Sequence, residues 1–308
     1  VDRRGFLLAL AAGTLVSLTA CRPDQRHLAA PAAAGNADPV RVDPDTLLPS
    51  INATETEVQP DVTVAEQPAT PTPSVTLPPT DPGPAPLPTY AVTLGQPPTQ
   101  VQSLPGAERT LALTIDDGIS TEVVKAYLDF IEASGVRLTF FVNGCRPSWT
   151  DNAPQLRKLV ETGQVQLASH TWSHPDITTL SNGALADELR RNEAFLNNTF
   201  GVTAKPFFRP PFGFHNNRTD RVCADHGLTT IVMWYGSFGD SGLLTEPVLL
   251  GEAQKWLGAR RVVLGHANQL TVTHLYPQIL ELIRERQLQT LTLDDAFYGS
   301  AGRSLVPR

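Results

Sequence analysis

From Arg109 onward the chain alternates short apolar runs with longer amphipathic stretches, and this alternation limits the architectures open to it. Runs rich in β-branched and aromatic residues at 109–115, 137–142, 165–169, 206–209, 228–234, 261–265 and 288–293 read as strands. Helical patterns fall between them at 122–134, 154–161, 183–200, 217–226, 247–257 and 275–287. Alternation of this kind buries helix faces against a largely parallel sheet, here expected to curl into an α/β barrel.

Ahead of this region the composition changes. Eighteen of the chain's 27 prolines fall between Arg22 and Pro105, among Thr, Ala, Val and acidic residues without a sustained apolar period. Such a stretch buries too little apolar surface to offset its ordering entropy, so 22–105 reads as an extended, disordered tether. The ordered domain is expected over 106–300, and Leu305-Val-Pro-Arg308 resembles a protease-site scar.

The strings that carry chemistry sit at strand ends. Thr114-Ile-Asp-Asp-Gly118, His170-Thr-Trp-Ser-His174 and Arg209-Pro-Pro-Phe-Gly213 each follow an apolar run. Two imidazoles and one carboxylate are a common ligand set for a divalent metal that keeps a position open, and Asp117, His170 and His174 supply that count. The set accepts zinc first, and also cobalt, nickel or iron. Asp116 is placed to take a proton from water, with Arg209 holding it ionised through a charge-assisted hydrogen bond. Each string alone also has an ordinary reading: a turn, a pair of histidines at helical i, i+4 spacing, or a rigid proline loop. Their placement decides between the two, because Asp116, Asp117, Asn143, His170, Arg209, Trp234 and His266 all follow strand ends, which meet on one face of a parallel barrel.

The first residues read as an address. Arg3-Arg4-Gly-Phe-Leu and the apolar run to Leu18 resemble a twin-arginine export signal over 1–21. Leu18-Thr-Ala-Cys21 resembles a bacterial lipobox, with Cys21 the lipidated residue. A lipid anchor on the outer face of the bacterial membrane, a tether and a domain facing the cell wall are the resulting expectation. Cys145 and Cys223 either pair, as exported cysteines often do, or stay as thiols. A net charge of −7 without Lys and Arg clusters disfavours nucleic acid as a partner.

Taken in order, the strings closely resemble the NodB-homology polysaccharide deacetylases, carbohydrate esterase family 4. Thr139-Phe-Phe-Val-Asn-Gly144 and Val263-Leu-Gly-His266 extend the resemblance, which runs from about Arg109 to Phe297. It implies an irregular, incomplete (β/α) barrel and a metal-dependent monomer acting on acetylated polysaccharide. Asp116 would be the base and Asp117, His170 and His174 the ligands, while Arg209 would position the base. The resemblance further implies that Phe212 offers its backbone N–H to the oxyanion, that Leu264 lines the acetyl pocket and that His266 is the general acid. Asp240 falls where the family carries an acid that tunes this histidine. Ser241 stands where the family has Trp, Ser237 where it has an acidic residue, and Ala267 where Asp is frequent; the first two bear on the tuning of His266 and on the sugar subsite. Trp172, Phe212, Phe214 and Trp234 are candidates for an apolar wall against a sugar ring, although aromatics at strand ends are as often core.

The expected substrate is N-acetylglucosamine of peptidoglycan. An O-acetyl xylan esterase and a wall-binding lipoprotein without turnover are the alternatives.

Overall fold

The computed structural model describes residues 99–106 and 109–299. Arg3-Arg4, Cys21, most of the expected tether and the 301–308 tail lie outside the described residues.

Nine strands form one sheet: β1 (Thr99–Val101), β2 (Thr110–Asp117), β3 (Leu138–Val142), β4 (Val165–Ser169), β5 (Phe207–Phe208), β6 (Thr230–Val232), β7 (Gly236–Ser237), β8 (Arg261–His266) and β9 (Gln289–Thr290). Their order is β1-β6-β5-β4-β3-β2-β8-β7, with β9 on β2 and every strand pair parallel. β8 occupies one flank of β2 from Leu111 to Asp116. β3 pairs with β2 only from Leu113, which leaves Thr110 and Leu111 for β9. The sheet is an irregular, curled (β/α) half-barrel.

Helices cross between the strands as the sequence pattern requires: α1 (Thr121–Ser134), α2 (Pro147–Asp151), α3 (Ala153–Glu161), α4 (Asn182–Phe200), α5 (Asn217–Asp225), α6 (Glu246–Trp256) and α7 (Tyr276–Glu285). Starts and stops follow local chemistry. Ser120 and Ser181 cap α1 and α4 by accepting from Val123 and Ala184 N–H, and left-handed Gly135 and Gly201 end them. The short α2 and β7 escape a periodicity reading because neither is long enough to show a period.

Two expectations need correction. The tether was expected to run to Pro105, yet β1 lies inside it. Thr99 N–H donates to Thr229 and Val101 accepts from Met233 beside β6, while Leu104 N–H donates to Arg260 beside β8. Residues 99–104 thus bridge from β6 to β8, and Leu104 is a core residue at 1% exposure. Apolar Val101 and Leu104, between Pro98 and Pro105, supply the driving force.

The expected strand over 288–293 is the second correction. It ends at Thr290, because Thr292 and Asp295 form a reciprocal capping box that opens α8 (Leu293–Tyr298). Leu291, Leu293, Ala296 and Phe297 join Ala112, Phe141, Ala168, Phe207, Val232 and Val262 in the core. Arg137 and Asp295 form a two-pronged ion pair at 2.7 and 2.9 Å, and Thr139 and Gln166 accept from the backbone of Leu293 and Asp294. These partners lie at or just before the starts of β3 and β4, so α8 closes the barrel at the end opposite the strand C-termini.

Strand alternation then sorts the site. Asp116 pairs in register with Phe141 and His266, and Phe141 pairs with Ala168. Since Phe141, Ala168 and Val262 belong to the interior cluster, the same face carries Thr114, Asp116, Leu264 and His266.

Candidate active site

Asp116 and Asp117 are neighbours on one strand, and simple alternation would point them to opposite faces. The backbone of Asp117 is left-handed, φ 71°, which turns its side chain back toward the interior. Gly118 follows at φ 81°; a Cβ there would lie 2.2 Å from the buried Trp149 ring, so the turn requires glycine.

The spacing of His170 and His174 is also that of two residues on one helical face. They instead flank a loop after β4, with left-handed Thr171 (φ 69°) and His174 (φ 64°) folding it. The imidazole centroids come within 4.9 Å. Left-handed backbone at non-glycine residues is costly and persists where surroundings impose it; Asp117, Thr171, His174 and Phe212 concentrate it here.

The three residues meet. Asp117 Oδ1 lies 3.4 Å from His170 Nε2 and 3.3 Å from His174 Nε2, and the ligand atoms of all three fall within 4.8 Å of one another. His170 Nδ1 is 2.7 Å from the Arg209 carbonyl, an acceptor only, so Nδ1 carries a proton and Nε2 is the nitrogen turned to the cluster. Asp117 Oδ1 is buried and has no hydrogen-bond partner. Burial pulls His174 down to about 4, partly opposed by Asp117, which keeps its ring neutral at ordinary pH. Burial opposes ionisation of Asp117, but His174 and His170 outweigh it and hold the carboxyl well below its ordinary value. A neutral His174, the Nε2 atom of His170 turned to the cluster and an ionised, otherwise orphaned carboxylate oxygen fit a divalent cation.

Beside them Asp116 Oδ1 receives Arg209 Nη1 at 2.7 Å. Arg209 is fully buried, and its remaining donors reach Thr114 Oγ1 at 2.9 Å and the Val232 carbonyl at 3.0 Å. Its guanidinium lies 4.2 Å over the Phe141 ring. Burial pulls the guanidinium below its ordinary value and Asp116 opposes that. The geometry leaves Asp116 Oδ2, 3.6 Å from His170 Nε2, facing the ligand cluster.

On the other flank Asp240, 2% exposed, holds His266 through Nδ1 at 2.9 Å and through the backbone N–H at 3.2 Å. Burial lowers the pKa of His266, but the Asp240 hydrogen bond and the charges of Asp240, Asp117 and Asp116 overcome it and raise it to about 9. The Ser237 and Ser241 departures therefore leave the Asp–His contact intact. Ser237 instead accepts from Gly239 N–H in the turn leading to Asp240.

Phe212 is left-handed, φ 59°, in a one-turn 3-10 segment, Pro211–Gly213, where its N–H has no acceptor within the turn. Its ring meets His174 at 4.5 Å and Phe214 at 5.9 Å. Trp234 backs this loop: a Cβ on Gly213 would lie 2.9 Å from it. Leu264 is buried two residues below His266 on the same face. Trp172 leaves the expected wall, since its ring packs on Phe195 and Arg191 of α4. Cys223 is a buried free thiol and Cys145 is not free, so these two do not pair.

Three further residues support the cluster, of which sequence reasoning named Asn143 and missed Asn268 and Arg146. Asn143 donates to the carbonyls of His170 and Thr171, Asn268 donates to Asp117 Oδ2, and Arg146 is half-buried with its Nε unpartnered. Asn143 at a strand end was the one with a visible signal.

Residues 104–231 match a family model described as polysaccharide deacetylase. The match spans Asp116 to Arg209, while Asp240 and His266 lie beyond it. A peptidoglycan-N-acetylglucosamine deacetylase, PgdA of Listeria monocytogenes, is 27% identical over 205 residues, 64% of this chain and 41% of its own length. Among solved structures, the Bc1960 peptidoglycan N-acetylglucosamine deacetylase superposes with TM-score 0.60 at 22% identity, covering 67% of this chain and 96% of that one. A CE4 family pseudoenzyme from Bacillus anthracis, BA3943, has TM-score 0.58 at 19% identity, covering 66% and 70%. These structural likenesses establish a shared fold. The chain spans between 24% and 58% of the lengths of several curated relatives it matches.

Proposed function

Starting from a chain that belongs to the polysaccharide deacetylase family, we propose that it is a metal-dependent hydrolase removing acetyl groups from N-acetylated cell-wall glycan, with N-acetylglucosamine of peptidoglycan as substrate. The similarity to a peptidoglycan deacetylase supports the substrate. The lipobox at Cys21 and the proline-rich stretch after it support a lipid-anchored position at the outer bacterial membrane, within reach of the wall.

One observation carries the reading: Asp116 and His266 are register partners on adjacent strands, each held by its own buried counter-ion, beside the Asp117–His170–His174 cluster. Those three residues would hold a divalent ion, zinc first among the candidates, and the chemistry it would supply there is Lewis acidity toward the acetyl carbonyl and water. Asp116 takes the proton of the attacking water, and Arg209 keeps it aimed through the 2.7 Å contact to Oδ1. Phe212 N–H donates to the developing oxyanion, a contribution typically worth about 3–4 kcal/mol for a good donor. His266, protonated, gives its proton to the departing amine, the step an amide needs most. Leu264 bounds the space for the acetyl methyl, and Phe212 with Trp234 lines the sugar side.

The test is acetate release by the full chain from N-acetylglucosamine oligomers, purified peptidoglycan and acetylated xylan, after chelation and after restoring zinc or cobalt, with Asp116→Ala as control. Metal-dependent release from wall glycan, abolished in the variant, is expected. Release from xylan alone would replace the reading with an esterase. Tight metal binding with no release from any polymer would replace it with a binding protein.

A further inference from the structure

We propose that Asn268 is a positioning residue for the metal site: it selects which oxygen of Asp117 coordinates and restrains that carboxylate to one-oxygen ligation. The inference rests on the reading of Asp117, His170 and His174 as ligands.

Asp117 has two chemically equivalent oxygens, and the site treats them differently. Oδ2 accepts Asn268 Nδ2 at 2.7 Å. Oδ1 faces both histidine Nε2 atoms at 3.3–3.4 Å and has no hydrogen-bond partner. A carboxylate swinging about its Cβ–Cγ bond would otherwise offer either oxygen, or both at once. Two-oxygen ligation would crowd positions that water and the acetyl carbonyl need. The Asn268 amide opposes this by occupying Oδ2.

Asn268 is itself fixed. Its Oδ1 accepts Ile119 N–H at 3.4 Å, so one side chain grips the Asp117–Ile119 turn at both ends. Its backbone neighbourhood is stitched to the same turn: Ala267 N–H donates to the Asp116 carbonyl and Ser120 N–H to the Ala267 carbonyl, each at 3.1 Å. The residue that aims the carboxylate is thus two positions from His266, and the short segment 266–268 serves both the acid and the ligand. A left-handed ligand residue needs such support, because its backbone conformation alone does not hold it.

The test compares Asn268→Ala and Asn268→Asp with the unaltered full chain in binding of zinc alone, by competition with a chromophoric chelator, and in the visible spectrum of the cobalt form. Neither readout requires turnover. For Asn268→Ala, zinc affinity should fall about 10- to 100-fold, the range for outer-shell partners of metal ligands. Its cobalt bands should shift in position and intensity as the coordination number changes. Asn268→Asp, which cannot donate from an ionised carboxylate, should shift the cobalt bands as well. Unchanged affinity and unchanged bands in a folded Asn268→Ala variant would overturn the proposal and leave Asn268 a loop support. Should Asn268→Ala fail to fold, Asn268→Asp decides by the same spectrum. If the unaltered chain binds neither zinc nor cobalt, the ligand reading itself fails, a result distinct from failure of this inference.

Discussion

Asp240 grips His266 twice, through the ring Nδ1 at 2.9 Å and through the backbone N–H at 3.2 Å, and is itself almost wholly buried. The contact keeps a proton on Nδ1 and leaves Nε2 as the nitrogen that gains and loses the titrating proton. His266 is raised from 6.5 to about 9, so an acid role gives activity that falls as pH rises through about 9. In Asp240→Asn the Asp240 charge no longer raises the histidine while burial still lowers it, and the alkaline limb should move to lower pH. Stability follows the same sign: the pair contributes in full below 6.5 and fades as pH passes about 9. A pH–rate profile of the two proteins checks it, and coincident alkaline limbs would count against the assignment.

His266→Ala should separate amide from ester. An amine leaves poorly without a proton, whereas an activated alcohol does not need one. Deacetylation of N-acetyl sugar oligomers should drop by about 100-fold or more, and hydrolysis of an activated O-acetyl ester much less. Equal losses on the two substrates would argue that His266 only shapes the site.

Arg209 joins the base to the fold. Replacing it with Met leaves Asp116 buried without its partner, a change that costs about 3–5 kcal/mol. Arg209→Lys restores charge but cannot reproduce the fork that reaches Asp116, Thr114 and Val232 together. Chemical denaturation should rank unaltered above Lys above Met, with turnover at saturating substrate falling in the same order.

Chelation should lower thermal stability as well as activity. A ligand bound only by the native state stabilises it by about 4 kcal/mol at a thousand times its dissociation constant. Melting curves with and without zinc should therefore separate in the unaltered protein and coincide in Asp117→Ala.

Leu104→Ala tests the bridge between β6 and β8. Truncating a buried leucine typically costs about 2–5 kcal/mol. The loss should show in the melting temperature while metal affinity at 25 °C stays unchanged, since Leu104 is a core residue and none of the three ligands.

Much of this architecture was legible because period and register are properties of the chain. β3, β4, α3 and α4 appear in the apolar pattern almost to the residue, and the strand ends carry Asp116, His170, Arg209 and His266 as expected. Where the pattern failed, a local cause can be named. Thr99–Val101 hides behind a run of prolines, and its strand is too short to show a period. Thr292 and Asp295 convert the end of a strand into a helix through a hydrogen-bond exchange that a hydropathy reading does not see. Asn268 left no trace, because its role depends on a turn 151 residues away.

The closure of the barrel by α8 divides the molecule into two ends that should fail at different temperatures. At the α8 end the Arg137–Asp295 pair, the capping box and a continuous apolar plug reinforce one another. At the other end four non-glycine residues hold left-handed backbone around the ligand cluster. Strained loops of this kind open by local fluctuation well before the global transition. Heating would then silence the protein before it melts, and cooling would restore it: a reversible loss of activity that circular dichroism of the helices would not register.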